Sequence, residues 1–312
     1  MININFPRNI KQKKLRLSLI ISVILIFSSS FMLVVSVDTA KKVPKPETVF
    51  RNEKARIDFT DSNATGTVKI NTVSKANKRV KVTVEKNEVN SAVYTYDLKD
   101  DTTVEAYPLQ MGDGEYIVKL WFQTVDSKYS FGLSGKYTLK LSDKNAPFLN
   151  PNQYIYYSKD SKIVKIAAEL IKNCTTDLEK VEAIYKFVVQ SLEYDSNKAA
   201  TVQSGYLPSV DAVVDIGKGI CFDYAAVFAA MLRSQGIPAK LVTGHVKPHN
   251  AYHAWNEFYL KDKGGWFKIN EMKFDGKKFE RIDPTFDSSS KSDKKVLQYI
   301  GDGSNYTKFQ EY

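Results

Sequence analysis

The sequence predicts an antiparallel β-sandwich over residues 55–145 followed by an α+β domain over 150–312, with helices packed on an antiparallel sheet. Three observations predict this. Apolar residues alternate with period two in short runs between Ala55 and Ser142. A helical period takes over after the turn-rich NAPFLNPNQY at 145–154, and strand-like runs return after Gly236. An apolar content of 43% over 312 residues is enough to fill the cores that such a layout requires.

The chain starts differently from the rest. Arg8, Lys11, Lys13, Lys14 and Arg16 precede an uncharged run from Leu17 to Val37, closed by Asp38. As a helix this run would rise roughly 31 Å, close to the thickness of a bilayer core. Residues 1–40 therefore read as a signal peptide or an N-terminal membrane anchor, with the basic flank inside and the remainder outside. Both cleavage and retention are open. Of the formal charge of +10, +6 sits in residues 1–42, where seven basic residues face one Asp, which leaves +4 for the rest. A mildly basic exported domain needs no nucleic acid to account for it. Residues 41–54, containing KKVPKPE, read as a linker.

Eight runs build the sandwich: ARIDFT, GTVKINTV, RVKVTVEK, SAVYTYDL, TTVEAYPL, EYIVKLWFQTV, KYSFGL and KYTLKLS. This half holds no Cys or His, so it is assigned no chemistry and reads as a spacer or binding module. In the second half, Ile163, Ile166, Ala167, Leu170 and Ile171 fall on one helical face behind a cap at Asp160. Thr176 with Glu179 makes a capping box ahead of the next helix. A third helix runs from Cys221 to Gln235 and stops at Gly236 before Ile237-Pro238. AKLVTG, AYHAWNEFYL, GWFKINEMKF and KFERIDP then read as strands, and VLQYIGDGSNYTKF as a last hairpin.

The chemistry concentrates between Gly217 and Thr285. Gly217 and Gly219 let the chain turn sharply before Cys221, which then opens a helix whose unpaired N–H groups and positive end favour a thiolate. His253 alternates onto one strand face with Trp255, and Asp283 sits in extended backbone before Pro284. A cysteine that attacks a carbonyl, a histidine that carries the proton and an aspartate that orients the imidazole are the inventory for thiolate acyl transfer. Asn270, four residues after Trp266, is a rival for the third place, because an amide also orients imidazole. Asp223, in the first turn after Cys221, reads as structural. Cys174 and Cys221 are the two cysteines, too few for a disulfide framework, and a bridge between them is not expected. His245, His249 and His253 share a spacing of four, yet Gly244, Pro248 and Asn250 oppose a helix. No metal site is expected, and His245 and His249 read as loop residues.

GxCxDYA with GIPA at the helix end, HAWNE and a following DPT resemble the transglutaminase-like superfamily, a papain-related fold, over roughly residues 160–310. The resemblance implies Cys221 as nucleophile, His253 as acid and base, and Asp283 as the orienting acid, with no cofactor. Many members carry the acid four residues after a tryptophan, where this chain has Asn270. By resemblance the substrate is a protein or peptide, with cell-envelope peptides as natural candidates in an exported protein. Hydrolysis is preferred to crosslinking, and a non-catalytic binding or scaffold protein on the same fold is the alternative from another class.

Overall fold

The computed structural model describes residues 47–75, 77–99, 101–247, 250–268, 285 and 305–312. Its first half contains β1 (Val49–Arg51), β2 (Ala55–Asp58), a one-turn helix α1 (Ser62–Thr65), β3 (Thr67–Thr72), β4 (Val80–Lys86) and β5 (Val93–Leu98). β6 (Glu105–Pro108), β7 (Gly114–Gln123) and β8 (Tyr129–Leu139) complete it. They form two antiparallel four-stranded sheets, ordered β1-β2-β3-β6 and β5-β4-β7-β8. Alternation decides which side chains go inside: Val80, Val82 and Val84 of β4, Val118 and Leu120 of β7, and Val68 and Ile70 of β3 are fully buried.

Two stretches differ from the sequence reading. Val49–Arg51 lie in the stretch read as a linker, yet they form a strand paired with β2. KYSFGL, which contains Gly132, and KYTLKLS, which follows Gly135, contribute to one continuous strand, β8. Both glycines meet a need for space rather than a turn: a Cβ at Gly135 would lie 2.7 Å from the Phe50 ring, and one at Gly132 would overlap Phe122.

After a 3₁₀ turn at Ala146–Phe148, the second half runs α2 (Lys162–Leu170), α3 (Asp177–Ser191), β9 (Glu193–Tyr194), α4 (Ser196–Thr201), α5 (Val210–Ile216), β10 (Lys218–Gly219) and α6 (Cys221–Ser234). It continues through β11 (Ala239–Val246), β12 (Ala251–Leu260), β13 (Gly265–Lys268) and β14 (Tyr306–Glu311). The last four strands make an antiparallel sheet ordered β13-β12-β11-β14. The α+β layout is as expected, and the capping box at Thr176 and Glu179 is present. The cap of α2 is not at Asp160. Ser161 holds that position, and the Asp211 carboxylate, brought from the start of α5, accepts the N–H groups of Lys162 and Ile163 at 3.0 and 2.9 Å. Periodicity gave no sign of the short helices α4 and α5. His245 belongs to β11 rather than to a loop.

α6 is the axis of this half. Every residue from Asp223 to Arg233 is buried, because the sheet covers one side and α2, α3 and α5 cover the others. Its C-terminal end is tied by Arg233, which is buried and donates to three main-chain oxygens. Nε donates to Ala239 O at 2.8 Å, Nη1 to Asn150 O at 2.6 Å and Nη2 to Tyr312 O at 2.7 Å. Burial lowers its pKa to about 10, so it stays charged at neutral pH. Tyr312 joins the two halves: its ring packs 4.3 Å from Tyr154 and 5.6 Å from Tyr94 of β5, centroid to centroid. Gln110 reinforces the seam by donating to Glu311 O at 3.3 Å. Arg233→Met strands three buried carbonyls and should lower stability by about 2–4 kcal/mol, measured as a reduced urea midpoint at unchanged m-value.

Candidate active site

Cys221 is the first residue of α6, following Ile220 in extended backbone. The approach to it is stitched down. Gly217 closes α5 in the left-handed region at φ +70°, where a side chain would be strained. β10 then pairs in parallel with β9, Gly219 opposite Tyr194, and Asp195 N–H donates to Gly219 O at 2.9 Å. Gly219 is needed for space: a Cβ there would stand 2.7 Å from the Asp223 Cβ. The half-buried thiol is thus presented at a helix mouth, where first-turn N–H groups favour negative charge. Tyr194 is beside it; burial, and secondarily the charge of a Cys221 thiolate, push the Tyr194 phenol above its ordinary pKa.

Beneath that mouth lies Asp223, fully buried. Oδ2 accepts Ile220 N–H at 2.9 Å and the Lys198 ammonium at 2.6 Å, and Oδ1 accepts the Tyr206 hydroxyl at 2.6 Å. The carboxylate therefore caps its own helix and is neutralised by Lys198, so its charge does not oppose a thiolate two residues away. Burial works against charge on Lys198, but the bonds to Asp223 and Tyr206 outweigh it and raise its pKa. The structural role read for Asp223 holds. Its partners Lys198 and Tyr206 left no mark in the sequence, since nothing local ties residues 198 and 206 to residue 223.

His253 lies in β12 opposite Gly244 of β11 and is 6% exposed. Its ring is nearly parallel to Trp255, with centroids 6.3 Å apart, and 6.1 Å from the ring of Tyr306. Gly244 makes room for this group, because a Cβ there would meet Trp255 Cη2 at 2.7 Å. Two contacts fix how β12 runs against α6. Asn256 Nδ2 donates to Ala225 O at 2.9 Å, and the Phe258 ring packs edge-on against Phe228 at 6.4 Å. Moving forward along the helix therefore moves forward along the strand. Cys221, four residues before Ala225, and His253, three before Asn256, come to the same end of the pair.

They come to it from different faces. Alternation turns Ala254, Asn256 and Phe258 toward α6, whereas His253, Trp255 and Glu257 share the face of Tyr306 and Lys308 of β14. Asp283 and Asn270 both lie outside the described residues, as does His249. Thr285, which closes the DPT motif, is described and buried. His245 stands opposite Tyr252, one step from the Gly244–His253 pair and so on the other face of the sheet. Among the described residues, no group of three His, Cys, Asp or Glu side chains could hold a metal ion. Cys174 and Cys221 are both free thiols.

Asp223→Ala removes the acceptor of Ile220 N–H and Tyr206 and the counter-charge of Lys198, and should cost about 2–4 kcal/mol in urea denaturation. The Lys198 contribution has a defined pH dependence. A raised pKa makes it fully present below the ordinary 10.5 and lost as pH climbs through the folded value, so stability curves of wild type and Asp223→Asn should converge only in strongly alkaline solution.

A family model described as the transglutaminase-like superfamily matches residues 164–270, a stretch that contains Cys221, His253 and Asn270 and ends before Asp283. Among curated proteins, the kyphoscoliosis peptidase of Homo sapiens is 28% identical over 120 residues, covering 35% of this chain and 18% of that protein. The protein of the same name from Mus musculus is 27% identical over the same shares. The chain thus spans less than a fifth of these relatives. Among solved structures, a candidate cysteine protease from Cytophaga hutchinsonii is similar at 16% identity and a TM-score of 0.37, over 85% of this chain and 79% of that one. Red sea bream transglutaminase is similar at 12% identity and a TM-score of 0.29, over 71% and 48%. Neither score reaches 0.5, and the likeness to the transglutaminase-like superfamily rests on the family model, over residues 164–270.

Proposed function

We propose that this chain is an exported cysteine-dependent acyl-transfer enzyme, secreted or held at the membrane by its N-terminal segment, that cleaves amide or peptide bonds through a thioester on Cys221. The supporting observation is the pairing of α6 with β12, which brings a helix-opening cysteine and a strand histidine to one end of a transglutaminase-like domain. That the curated relatives are named peptidases favours hydrolysis.

The Cys221 thiolate attacks the carbonyl carbon, and the first-turn N–H groups of α6 stabilise the oxyanion. Collapse of the tetrahedral intermediate breaks the C–N bond while the His253 imidazolium gives its proton to the leaving amine. Water then attacks the thioester, losing a proton to His253, and releases the acid and the thiol. An amine in place of water would yield a crosslink instead. Asp283 orients the imidazole in this scheme, with Asn270 as its rival. Of the two, Asp283 also supplies a charge that stabilises imidazolium. The N-terminal run Leu17–Val37 supports the location outside the cytoplasm. Among the described residues no helix is long and apolar enough to cross a membrane.

Alkylation by iodoacetamide tests the chemistry in full-length protein carrying Cys174→Ala, so that one thiol reports. Cys221 should react well below pH 7, and His253→Ala should move the profile up toward an ordinary thiol near pH ~8.5. A thiol that labels slowly and identically in both proteins would sink the enzymatic reading. With an active preparation, Asp283→Ala and Asn270→Ala separate the two candidates, since loss of the orienting group should lower kcat by roughly 100-fold or more.

A further inference from the structure

We propose that the open edge of β6 binds an extended, uncharged polypeptide segment by strand addition, as a holding site separate from Cys221. Among the described residues β6 is the last strand of its sheet. Leu109 N–H donates to Gly66 O at 2.8 Å, and Tyr107 and Glu105 stand opposite Val68 and Ile70. In an antiparallel ladder the bonded pairs alternate, so Glu105, Tyr107 and Leu109 turn their backbone groups toward β3. The N–H and C=O groups of Val104 and Ala106 face the other way. Pro108 falls in this outward set, where its missing N–H leaves the ladder intact.

The edge of the other sheet at this end is covered. Asp97 of β5 donates its N–H to Gln153 Oε1 at 3.1 Å and accepts from Gln153 Nε2, and the Tyr154 hydroxyl donates to Thr95 O. Along β6 there is instead a cavity of about 500 Å³, walled by residues 103–107, 151–153 and 207–211. Asn152 is part of its lining and is 4% exposed. Oδ1 accepts the N–H groups of Tyr154 and Ile155, both at 3.0 Å, while Nδ2 has no hydrogen-bond partner among the described residues. Buried amide donors are rarely left so, and a main-chain carbonyl from a bound strand would satisfy this one.

The lining also sets the kind of segment. Val104, Tyr156 and Leu207 expose 58%, 60% and 39% of their surfaces at the rim. The charges present are already matched: Lys99 lies 3.5 Å from Glu105, and Asp211 is taken up by the N-terminus of α2. Each charged group among the described lining residues is already engaged within the protein, so apolar and uncharged side chains fit best. An outward row of amides at the two-residue repeat of about 7 Å matches a β-strand. The groove shares supports with the mouth of α6. Tyr206, next to Leu207, bonds Asp223, and Tyr154, next to Gln153, packs its ring 5.8 Å from Phe222.

The test uses full-length Cys221→Ala protein and a phage-displayed library of random dodecapeptides, from which an enriched sequence is synthesised. Uncharged apolar peptides should be enriched. Ala106→Pro, which removes an outward N–H, should weaken binding at least tenfold, and Asn152→Asp, which keeps the turn acceptor but loses the donor, at least threefold. N-methylation of the peptide should abolish binding at alternate positions only, which preserves the test if Ala106→Pro fails to fold. Absence of an enriched peptide, or peptides indifferent to both edge changes, would overturn the proposal. So would binding of N-acetylglucosamine oligomers that these changes leave untouched while peptides fail to bind. The kinetic consequence rests on the acyl-transfer reading: in active enzyme Ala106→Pro should raise KM and leave kcat and the alkylation profile unchanged. Peptide binding in a protein whose Cys221 proves inert would refute that chemistry and leave the groove standing.

Discussion

The buried carboxylate of Asp223 is the constraint on which the candidate site depends. A helix that begins in the interior leaves its first N–H groups without partners and must find acceptors for them. Here the chain turns one of its own side chains back: Asp223 takes Ile220 N–H and, being charged and wholly buried, must itself be matched. Lys198 and Tyr206 do this, and both come from the stretch between α3 and α6. α4, which buries no residue of its own, would otherwise have little reason to stay on the domain. One capping requirement thus organises the segment from Asp195 to Tyr206 around the approach to Cys221. Gly219 follows from the same constraint, since any larger residue there would press on the aspartate.

The other end of α6 is fixed by different chemistry. Arg233 donates to three main-chain oxygens, from the start of β11, the connection after the sandwich and the last residue described. A buried cation held in this way needs all three, because each lost bond leaves a donor and an acceptor unmatched. The result is that helix, sheet and sandwich share one joint. With Tyr312 packed at a tilt against Tyr154 and close to Tyr94 and Tyr96, the sandwich is bound to the α+β half through aromatic contact and not through a free linker.

Much of this fold was legible because period is a local property. Strands of the sandwich, the start of α6 and its stop at Gly236 follow from alternation and caps read over a few residues. Failures share a cause. KYSFGL and KYTLKLS read as two runs, and only the rings of Phe50, Phe59 and Phe122 reveal that Gly132 and Gly135 are spaces within one strand, β8. The cap of α2 is supplied from forty-eight residues away by Asp211. α4 and α5 are short, and periodicity over six or seven residues says little. At the candidate site, Cys221 and His253 stand out as candidates by type and spacing, whereas Lys198, Tyr206 and Tyr194 do not. Their roles exist only once residues 193–206 are laid against the helix mouth.

The two-faced character of β12 gives the site its geometry. Even-numbered residues from Ala254 to Phe258 are committed to α6, and Asn256 spends its amide on the carbonyls of Ala225 and Lys240. A histidine placed among them would have been packed under the helix, desolvated and without room for a substrate. On the odd face it stands with Trp255 and Tyr306, whose rings restrict water around the imidazole, at the end of the strand nearest the helix mouth. Sliding β12 by one residue would exchange the two faces, turning Asn256 away from α6 and His253 under it. The hydrogen bond from Asn256 to Ala225 is therefore a register lock, and it holds the histidine in place without touching it.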